Sequence, residues 1–215
     1  ADQAGNWYAA QVSGLNFNDN CLDVCVKPAG SANTAGAVSL SPATQYIEVV
    51  NKTKTMTSGK NTCWATADWQ KKKMLLRGNV RTEQTLFVAV DRPSAFFGMV
   101  LAEYLSKQGI AIRGELKVLR LRDPQGDLPA DIEPLLIYKT PLEAVMRRAN
   151  QRSLNLAAEC LMKSIGAQWS KDRKDAFVQG TWANGRESIG AFLKELGCRE
   201  GSFVLDDGCG LSHDN

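Results

Sequence analysis

Two helical patterns meet within residues 141–166, and they restrict the fold of this sequence more than any other feature does. Thr140, Pro141 and Glu143 predict the N-cap, the first residue and the capping box of a helix. Apolar residues then recur at i, i+3, i+4 and i+7, the spacing of one helix face. These residues are Leu142, Val145, Met146 and Ala149. A helix is therefore predicted to begin at Pro141.

A second helical pattern follows, and it is predicted to end at Gly166, because glycine is favoured just after a helix terminus. Its apolar positions are Leu154, Ala158, Leu161 and Ile165. The polar run 150–153 separates the two patterns and ends on Ser153, a good N-cap residue. A break there lets Ser153 and Asn155 face one cleft, whereas on a continuous helix they would point to nearly opposite faces. The structural alternative is an N-cap serine followed by a solvated asparagine.

Strand patterns dominate the chain before this helical region, because apolar and polar residues alternate there over short stretches. Residues 11–17 and 21–27 flank Asn18-Asp19-Asn20 and predict a hairpin. Further strands are predicted at residues 46–50, 62–66, 73–76 and 85–90, with short candidates at 110–112 and 116–121. The first ninety residues are therefore expected to be mostly sheet.

The predicted helices concentrate in the second part of the chain. Besides the two already described, helices are predicted from Pro93 to Gly109, near residues 170–179 and over residues 187–196. Helices dominate from Pro141 onward, and a proline-bounded connector at 129–134 precedes that change. We therefore predict an α+β fold with a boundary near residue 137, a β-rich domain at 1–137 and a helical domain at 138–215.

Composition and charge exclude several classes of protein. With 44% apolar and 23% charged residues, the 215-residue chain is ordinary for a soluble globular protein, and no apolar run is long enough to cross a membrane. The first ten residues lack the pattern of a signal peptide. A net charge of +3 is too mild to imply a nucleic-acid partner. The densest basic run, Lys71–Lys73 with Arg77 and Arg81, lacks interleaved aromatic residues and is interpreted as a solvated strand face.

The six cysteines form no pattern typical of a metal site. No two of them make a C-x-x-C pair, and His213 is the single histidine, so we expect no zinc site. Cys21 and Cys25 lie four apart in an alternating segment, which places them on one strand face. Buried free thiols are the leading interpretation, and disulfides remain open if the protein is exported.

Several separated stretches resemble one known family. They are Trp7-Tyr8 with VSGLNFNDN, then FVAVDRP, SLNLAAE at residues 153–159, and DDGCGLSHDN at 206–215. The last two are similar to the Ser-Asp-Asn-Leu-x-Ala-Glu and Asp-Gly-Ser-Gly-Leu-Ser elements of the D-alanyl-D-alanine carboxypeptidases/endopeptidases, low-molecular-mass penicillin-binding proteins with a large insertion. The resemblance implies that a β-rich insertion domain is followed by the helical part of a β-lactamase/transpeptidase-like domain.

The resemblance also implies a function. The parent enzyme would be a serine hydrolase of the cell envelope, periplasmic or extracytoplasmic, that acts on peptidoglycan peptides through an acyl-enzyme and binds β-lactams. It would need no metal or organic cofactor. Ser153 would relay protons, and Asn155 would position a lysine and bind the substrate amide; neither would be the nucleophile. Other substrate-binding residues are not assigned.

The chain departs from the family pattern in four respects. Leu154 replaces the usual Asp, Cys209 replaces Ser, no serine is followed by lysine three positions on, and Lys-Thr-Gly is absent. Lys139-Thr140-Pro141 only resembles that last element, because its proline opens a helix. We therefore expect an internal fragment, inactive by itself, whose uncovered apolar helix face could drive self-association. The alternative is a non-catalytic binding or scaffold module.

Two other nucleophile hypotheses are less favoured. Ser212-His213-Asp214 contains the residue types of a catalytic triad, but consecutive side chains diverge, whereas a triad requires them to converge. Cys209 lies between two glycines with no base in evidence beyond His213, and a structural cysteine is the commoner case.

Overall fold

A computed structural model describes residues 5–215, which form six strands and four helices. The strands are β1 Cys21–Lys27, β2 Ala37–Ser41, β3 Glu48–Thr55, β4 Trp64–Asp68, β5 Lys73–Val80 and β6 Gln84–Ala89. The helices are α1 Pro93–Lys107, α2 Leu142–Arg152, α3 Asn155–Asp172 and α4 Trp182–Glu195. This mixture confirms the predicted α+β class. The chain divides into two compact units, one ending at Val118 and the other comprising Leu119–Asn215.

The first unit contains two three-stranded sheets. In one sheet β1 lies between β2 and β6 and is antiparallel to both. In the other sheet β5 lies between β3, to which it is parallel, and β4, to which it is antiparallel. In the central strands one face is buried because side chains alternate along a strand, as in β5, where Met74 and Leu76 are buried between Lys73 and Arg77.

One apolar core takes side chains from both sheets and from α1. Its members are Leu22, Val24, Val26, Ile47, Cys63, Met74, Leu76, Val80, Val88, Val90 and Phe96. Phe96 on α1 is fully buried and lies 5.3 Å from the ring of Tyr46 and 6.0 Å from that of Phe17. These contacts dock α1 against the sheets, and they make Phe96, rather than its exposed neighbours Leu101 and Tyr104, the main core residue of the helix.

Three of the predicted strands are wrong. Residues 11–17 form no strand; β1 instead pairs with β2 and β6, after a turn at Asn18–Asn20 in which all three residues have φ between 50° and 54°. Residues 110–112 and 116–121 are irregular as well, because no neighbouring strand pairs with them. Conversely, β5 continues past its predicted end: Gly78 keeps it in the sheet with a φ of 100°, which glycine adopts easily.

The second unit, all of which the structure describes, contains three helices and no strand. Helix α2 begins one residue later than predicted: Pro141 is its N-cap, no side chain caps it, and the expected Thr140 capping box is absent. The segment 173–181 is not helical, so the helix predicted near residues 170–179 is wrong. Instead, the buried hydroxyl of Ser170 donates to Asp175 and to the Phe177 carbonyl oxygen and thereby closes a turn.

Helix α3 runs straight through Gly166, which was predicted to end it. A Cβ atom on Gly166 would lie 2.7 Å from the backbone nitrogen of Gly185 and 2.7 Å from the carbonyl oxygen of Thr181. The glycines thus allow α3 and α4 to approach backbone to backbone. This approach buries the face of α3 that carries Met162, Gly166 and Ser170 and leaves Ile165, from the predicted apolar stripe, 41% exposed.

The described helices include none with both the length and the apolar character needed to cross a membrane. None of the six cysteines, all of which lie within residues 5–215, forms a disulfide, but only Cys21 and Cys63 are buried. Cys198 is exposed and the other three are half-buried, so the prediction of free thiols holds while their complete burial does not.

Candidate active site

Ser153 lies at the break between α2 and α3. It is the C-cap of α2, and its φ of 51° and ψ of 41° place it in the left-handed region. A serine pays a steric penalty there that glycine would not, on the order of 1 kcal/mol. Ser153 is not the N-cap of α3; Leu154 takes that position, without a capping hydrogen bond. The break itself is where the sequence predicted it.

Asn155 is the first residue of α3 and is half-buried, whereas Ser153 is exposed. Because residues four apart on a helix share a face, Asn155 lies one turn before Glu159 on the same side of α3. Glu159 is only 8% exposed, which is unusual for a carboxylate. Asn155 is therefore followed, one helical turn further along the same face of α3, by the buried carboxylate of Glu159.

The Glu159 carboxylate binds the backbone of the C-terminal loop, residues 206–215. Its Oε1 accepts the N–H groups of Gly208 at 2.9 Å and Cys209 at 3.0 Å, and its Oε2 accepts the indole N–H of Trp182. A Cβ atom on Gly208 would lie 2.9 Å from the Ala158 carbonyl oxygen, so the loop backbone rests directly on α3. Glu159 therefore fixes the loop against the helix that starts with Asn155.

Asp207 organises the loop internally. Its carboxylate accepts the backbone N–H groups of Gly210 and Ser212, each at 2.6 Å, and the side-chain amide of Asn215. Burial alone would raise the pKa of Asp207, but the hydrogen bonds from Asn215 and the loop backbone outweigh it and lower that pKa. Asn215 in turn accepts the N–H of Asp206 at 2.7 Å. These hydrogen bonds close the loop on itself, and the lowered pKa of Asp207 favours its ionised carboxylate.

One contact ties the loop to α4, and a second ties α3 to α4. Arg186 donates to the Asp206 carbonyl oxygen at 2.8 Å and to its carboxylate at 3.0 Å. The ammonium of Lys163 on α3 lies 3.9 Å from the ring centroid of Trp182, the residue whose indole N–H reaches Glu159. The loop, α3 and α4 therefore share one hydrogen-bonded and cation–π network.

Cys209 is placed as a structural thiol. Burial, a hydrogen bond to Glu159 and the negative charges of Glu159 and Asp207 raise its pKa to about 12. Because the thiolate is the nucleophilic form, the thiol is inert at neutral pH. The Ser212 hydroxyl also makes a hydrogen bond within the loop: its oxygen accepts the N–H of Asp214 at 3.2 Å.

Glu159, Asp207 and Cys209 each offer one metal-ligand atom, and these three atoms lie within 4.8 Å of one another. Hydrogen bonds already account for the two carboxylates of this cluster: both Glu159 oxygens accept N–H groups, and the Asp207 carboxylate accepts those of Gly210 and Ser212. We therefore assign the cluster to loop anchoring.

Ser153 and Asn155 were predicted as site residues from the sequence. Glu159, Asp207 and Trp182 were not assigned a role. Glu159 was inside the quoted SLNLAAE stretch, and a glutamate in the middle of a helix pattern is ordinarily solvated. Its burial results from contacts with a loop 49 residues later and with Trp182, 23 residues later. No local pattern indicates such pairings.

Comparison with solved structures identifies the fold. Two crystal structures of penicillin-binding protein 4 from Haemophilus influenzae resemble the chain, with TM-scores of 0.64 and 0.67 at 20% and 17% sequence identity. The first of these two structures is a complex with a β-lactam. They align with 96% and 99% of this chain, which covers 46% and 45% of theirs. The chain thus shares the fold of part of penicillin-binding protein 4.

Sequence comparison assigns the family. A D-alanyl-D-alanine carboxypeptidase from an Actinomadura species is 28% identical over 222 residues, covering 97% of this chain and 38% of that enzyme. The carboxypeptidase DacB of Haemophilus influenzae is 28% identical over 130 residues, or 60% of this chain and 25% of its own length. The profile of the D-Ala-D-Ala carboxypeptidase 3 (S13) family matches residues 1–215. The chain belongs to that family, and it spans well under half of these two relatives.

Proposed function

We propose that this chain is part of a serine-type D-Ala-D-Ala carboxypeptidase or endopeptidase of the cell envelope, outside the cytoplasm, that acts on peptidoglycan peptides. The observation that carries the proposal is the strained helix junction, where Ser153 is held at positive φ two residues before Asn155 opens α3. Backbone strain of this kind clusters at functional sites. Membership of the S13 family supports the same chemistry.

The proposed reaction is acyl transfer. A serine from a Ser-x-x-Lys element elsewhere in a longer protein attacks the peptide carbonyl, the terminal D-Ala leaves as an amine, and water hydrolyses the acyl-enzyme. Ser153 relays protons between that serine and the lysine. Asn155 positions the lysine and accepts or donates a hydrogen bond to the substrate amide. These 215 residues contain neither the Ser-x-x-Lys nor the Lys-Thr-Gly element, so we expect the isolated chain to be inactive.

In this proposal each of the two predicted domains has its own role. Residues 1–137 serve as an insertion domain and residues 138–215 as the helical part of the catalytic domain. On α2, Leu142 is 62% and Met146 48% exposed. We propose that the remaining catalytic domain of the longer protein covers this face, and that in the isolated chain it promotes self-association.

The absence of two catalytic elements favours one alternative, a non-catalytic module derived from the family. Labelling with a fluorescent penicillin separates the two. The protein translated from the whole gene should give a labelled band on a denaturing gel, whereas the 215-residue chain should give none. If the whole gene encodes no Ser-x-x-Lys element and its product is not labelled, the protein is a non-catalytic module.

The site assignment is tested in that longer protein. Replacing Ser153 or Asn155 by Ala should slow penicillin acylation by roughly two to four orders of magnitude. Ser188→Ala on α4 is the matched control, because Ser188 takes part in none of the junction contacts. Unchanged acylation in both junction variants would remove them from the site.

A further inference from the structure

The outer face of the β3–β5–β4 sheet carries a row of three exposed side chains. Arg77 in the central strand β5 is in register with Lys52 of β3 on one side and with Trp64 of β4 on the other. All three side chains are exposed, and Trp64 is 47% accessible. The row spans about 10 Å, two inter-strand spacings. We name Lys52, Arg77 and Trp64 the cationic row.

A second row on the same face shows what a merely solvated arrangement looks like. Lys73, four residues before Arg77 on β5, is in register with Glu48 and with Asp68. Its ammonium lies 3.5 Å from the Glu48 carboxylate. The charge of Lys73 is thus balanced by Glu48, with the carboxylate-bearing Asp68 in register on the other strand, whereas Arg77 has a second cation on one side and an aromatic ring on the other.

Acidic residues do not balance the charge of the cationic row within the stretch that forms this sheet, residues 48–81. Residues 48–81 contain eight Lys and Arg against two Asp and Glu, a formal charge of +6, whereas the entire chain carries only +3. Both acidic residues are paired, Glu48 with Lys73 and Asp68 with Lys71. Like charges on directly opposed strand positions destabilise a sheet. An anionic ligand would relieve this repulsion.

The chemistry of the row specifies the ligand. A guanidinium and an ammonium side by side bind carboxylates, the former in a bidentate manner. The exposed indole offers a flat apolar surface on which a sugar ring can stack. A glycan strand that bears acidic peptides matches both features. We propose that the cationic row binds the peptidoglycan polymer, with Trp64 against a sugar ring and with Arg77 and Lys52 on peptide carboxylates.

The identity of this polymer rests on the proposed function, but the row itself lies in the first unit and contains no catalytic residue. It would hold the enzyme on its polymeric substrate while the catalytic centre acts on individual peptide ends. Such tethering raises the local substrate concentration without any contact at the reaction centre. Because the attraction is partly ionic and exposed, added salt should weaken it.

Binding is tested with the 215-residue chain and purified, insoluble peptidoglycan sacculi, by measuring the protein that sediments with them. The unaltered chain should sediment, and Arg77→Ala and Trp64→Ala should each weaken binding about tenfold. Trp64→Phe should recover part of the loss, since it keeps an aromatic surface. Lys73→Ala is the matched control: it removes the same charge from the same strand and face, but from a balanced row, and should bind like the unaltered chain.

Three results would overturn the proposal: no sedimentation of the unaltered chain, equal losses in Lys73→Ala and Arg77→Ala, or equally tight binding to anionic lipid vesicles or to DNA at the same ionic strength. Circular dichroism and thermal unfolding of each variant confirm that the sheet is intact. The outcome is independent of catalysis. Sedimentation without penicillin labelling of the longer protein would refute only the enzymatic proposal, and labelling without sedimentation would refute only the cationic row.

Discussion

Glu159 and Gly208 are joined by a hydrogen bond of 2.9 Å from the loop backbone N–H to the helix carboxylate, across 49 residues of sequence. The same carboxylate also accepts the N–H of Cys209 and the indole N–H of Trp182. One buried charge therefore satisfies three donors on two separate segments. This arrangement places the C-terminal loop beside the first turns of α3, where Asn155 lies.

Replacing Glu159 by Ala should detach the C-terminal loop. Three donors would lose their acceptor, and we expect the free energy of unfolding to fall by on the order of 3 kcal/mol. Urea denaturation measures the loss, and hydrogen exchange should show faster exchange of the Gly208 and Cys209 amides. Glu195→Ala, at the exposed end of α4, is the control and should change neither quantity. Slow exchange retained in the Glu159 variant would disprove the anchoring role.

Ser153→Gly should separate stability from function. Glycine adopts the left-handed conformation without the steric penalty of a Cβ, so the variant should be about 0.5–1 kcal/mol more stable. In the longer protein the same change removes the hydroxyl and should slow penicillin acylation about as much as Ser153→Ala does. Thermal unfolding and labelling rates are the two measurements. Normal penicillin acylation in the Ser153→Gly variant would show that the hydroxyl has no role in the reaction.

Gly166→Ala should disrupt the contact between α3 and α4. The new methyl group would meet backbone atoms of Gly185 and Thr181 at 2.7 Å, and backbone cannot easily move aside. We expect a loss of about 1–3 kcal/mol. Gly190→Ala on α4 is the matched control: its nearest atom would be Phe203 Cε2 at 3.9 Å, so better helix propensity should stabilise the protein by up to about 1 kcal/mol. Equal effects of the two substitutions would contradict the close approach.

The cysteines should differ in their reactivity toward iodoacetamide. Since the pKa of Cys209 is raised to about 12, its thiolate fraction is negligible at pH 8 and increases only as the pH approaches that value. Exposed Cys198 should therefore be alkylated first, and Cys209 only in strongly alkaline or denaturing conditions. Mass spectrometry of the digested protein identifies the modified sites.

The role of Cys209 has a companion test in the longer protein. Cys209→Ser should leave penicillin acylation unchanged, because a protonated structural thiol takes no part in the reaction. Loss of acylation in that variant, or rapid alkylation of Cys209 at pH 7, would restore the hypothesis of a cysteine nucleophile.

Many local features of this protein follow from side-chain patterns in the sequence alone. Alternating apolar residues predicted most of the strands, for example β1, where Leu22, Val24 and Val26 are all fully buried. The polar run before Ser153 predicted the helix break, and Pro93 and Gly109 bracketed α1. These features depend on side-chain periodicity and on the backbone preferences of single residues, which act over a few positions.

Which surfaces meet, by contrast, depends on how the helices and strands pack in three dimensions. Gly166 carries a local signal for a helix end, but the approach of α4 makes it a packing residue inside α3. Glu159 is buried because distant donors reach it, and Trp64 joins Lys52 and Arg77 because β5 pairs with both β3 and β4. Contacts between residues far apart in the chain depend on how its elements pair and pack, and residue spacing within one segment carries no information about that pairing.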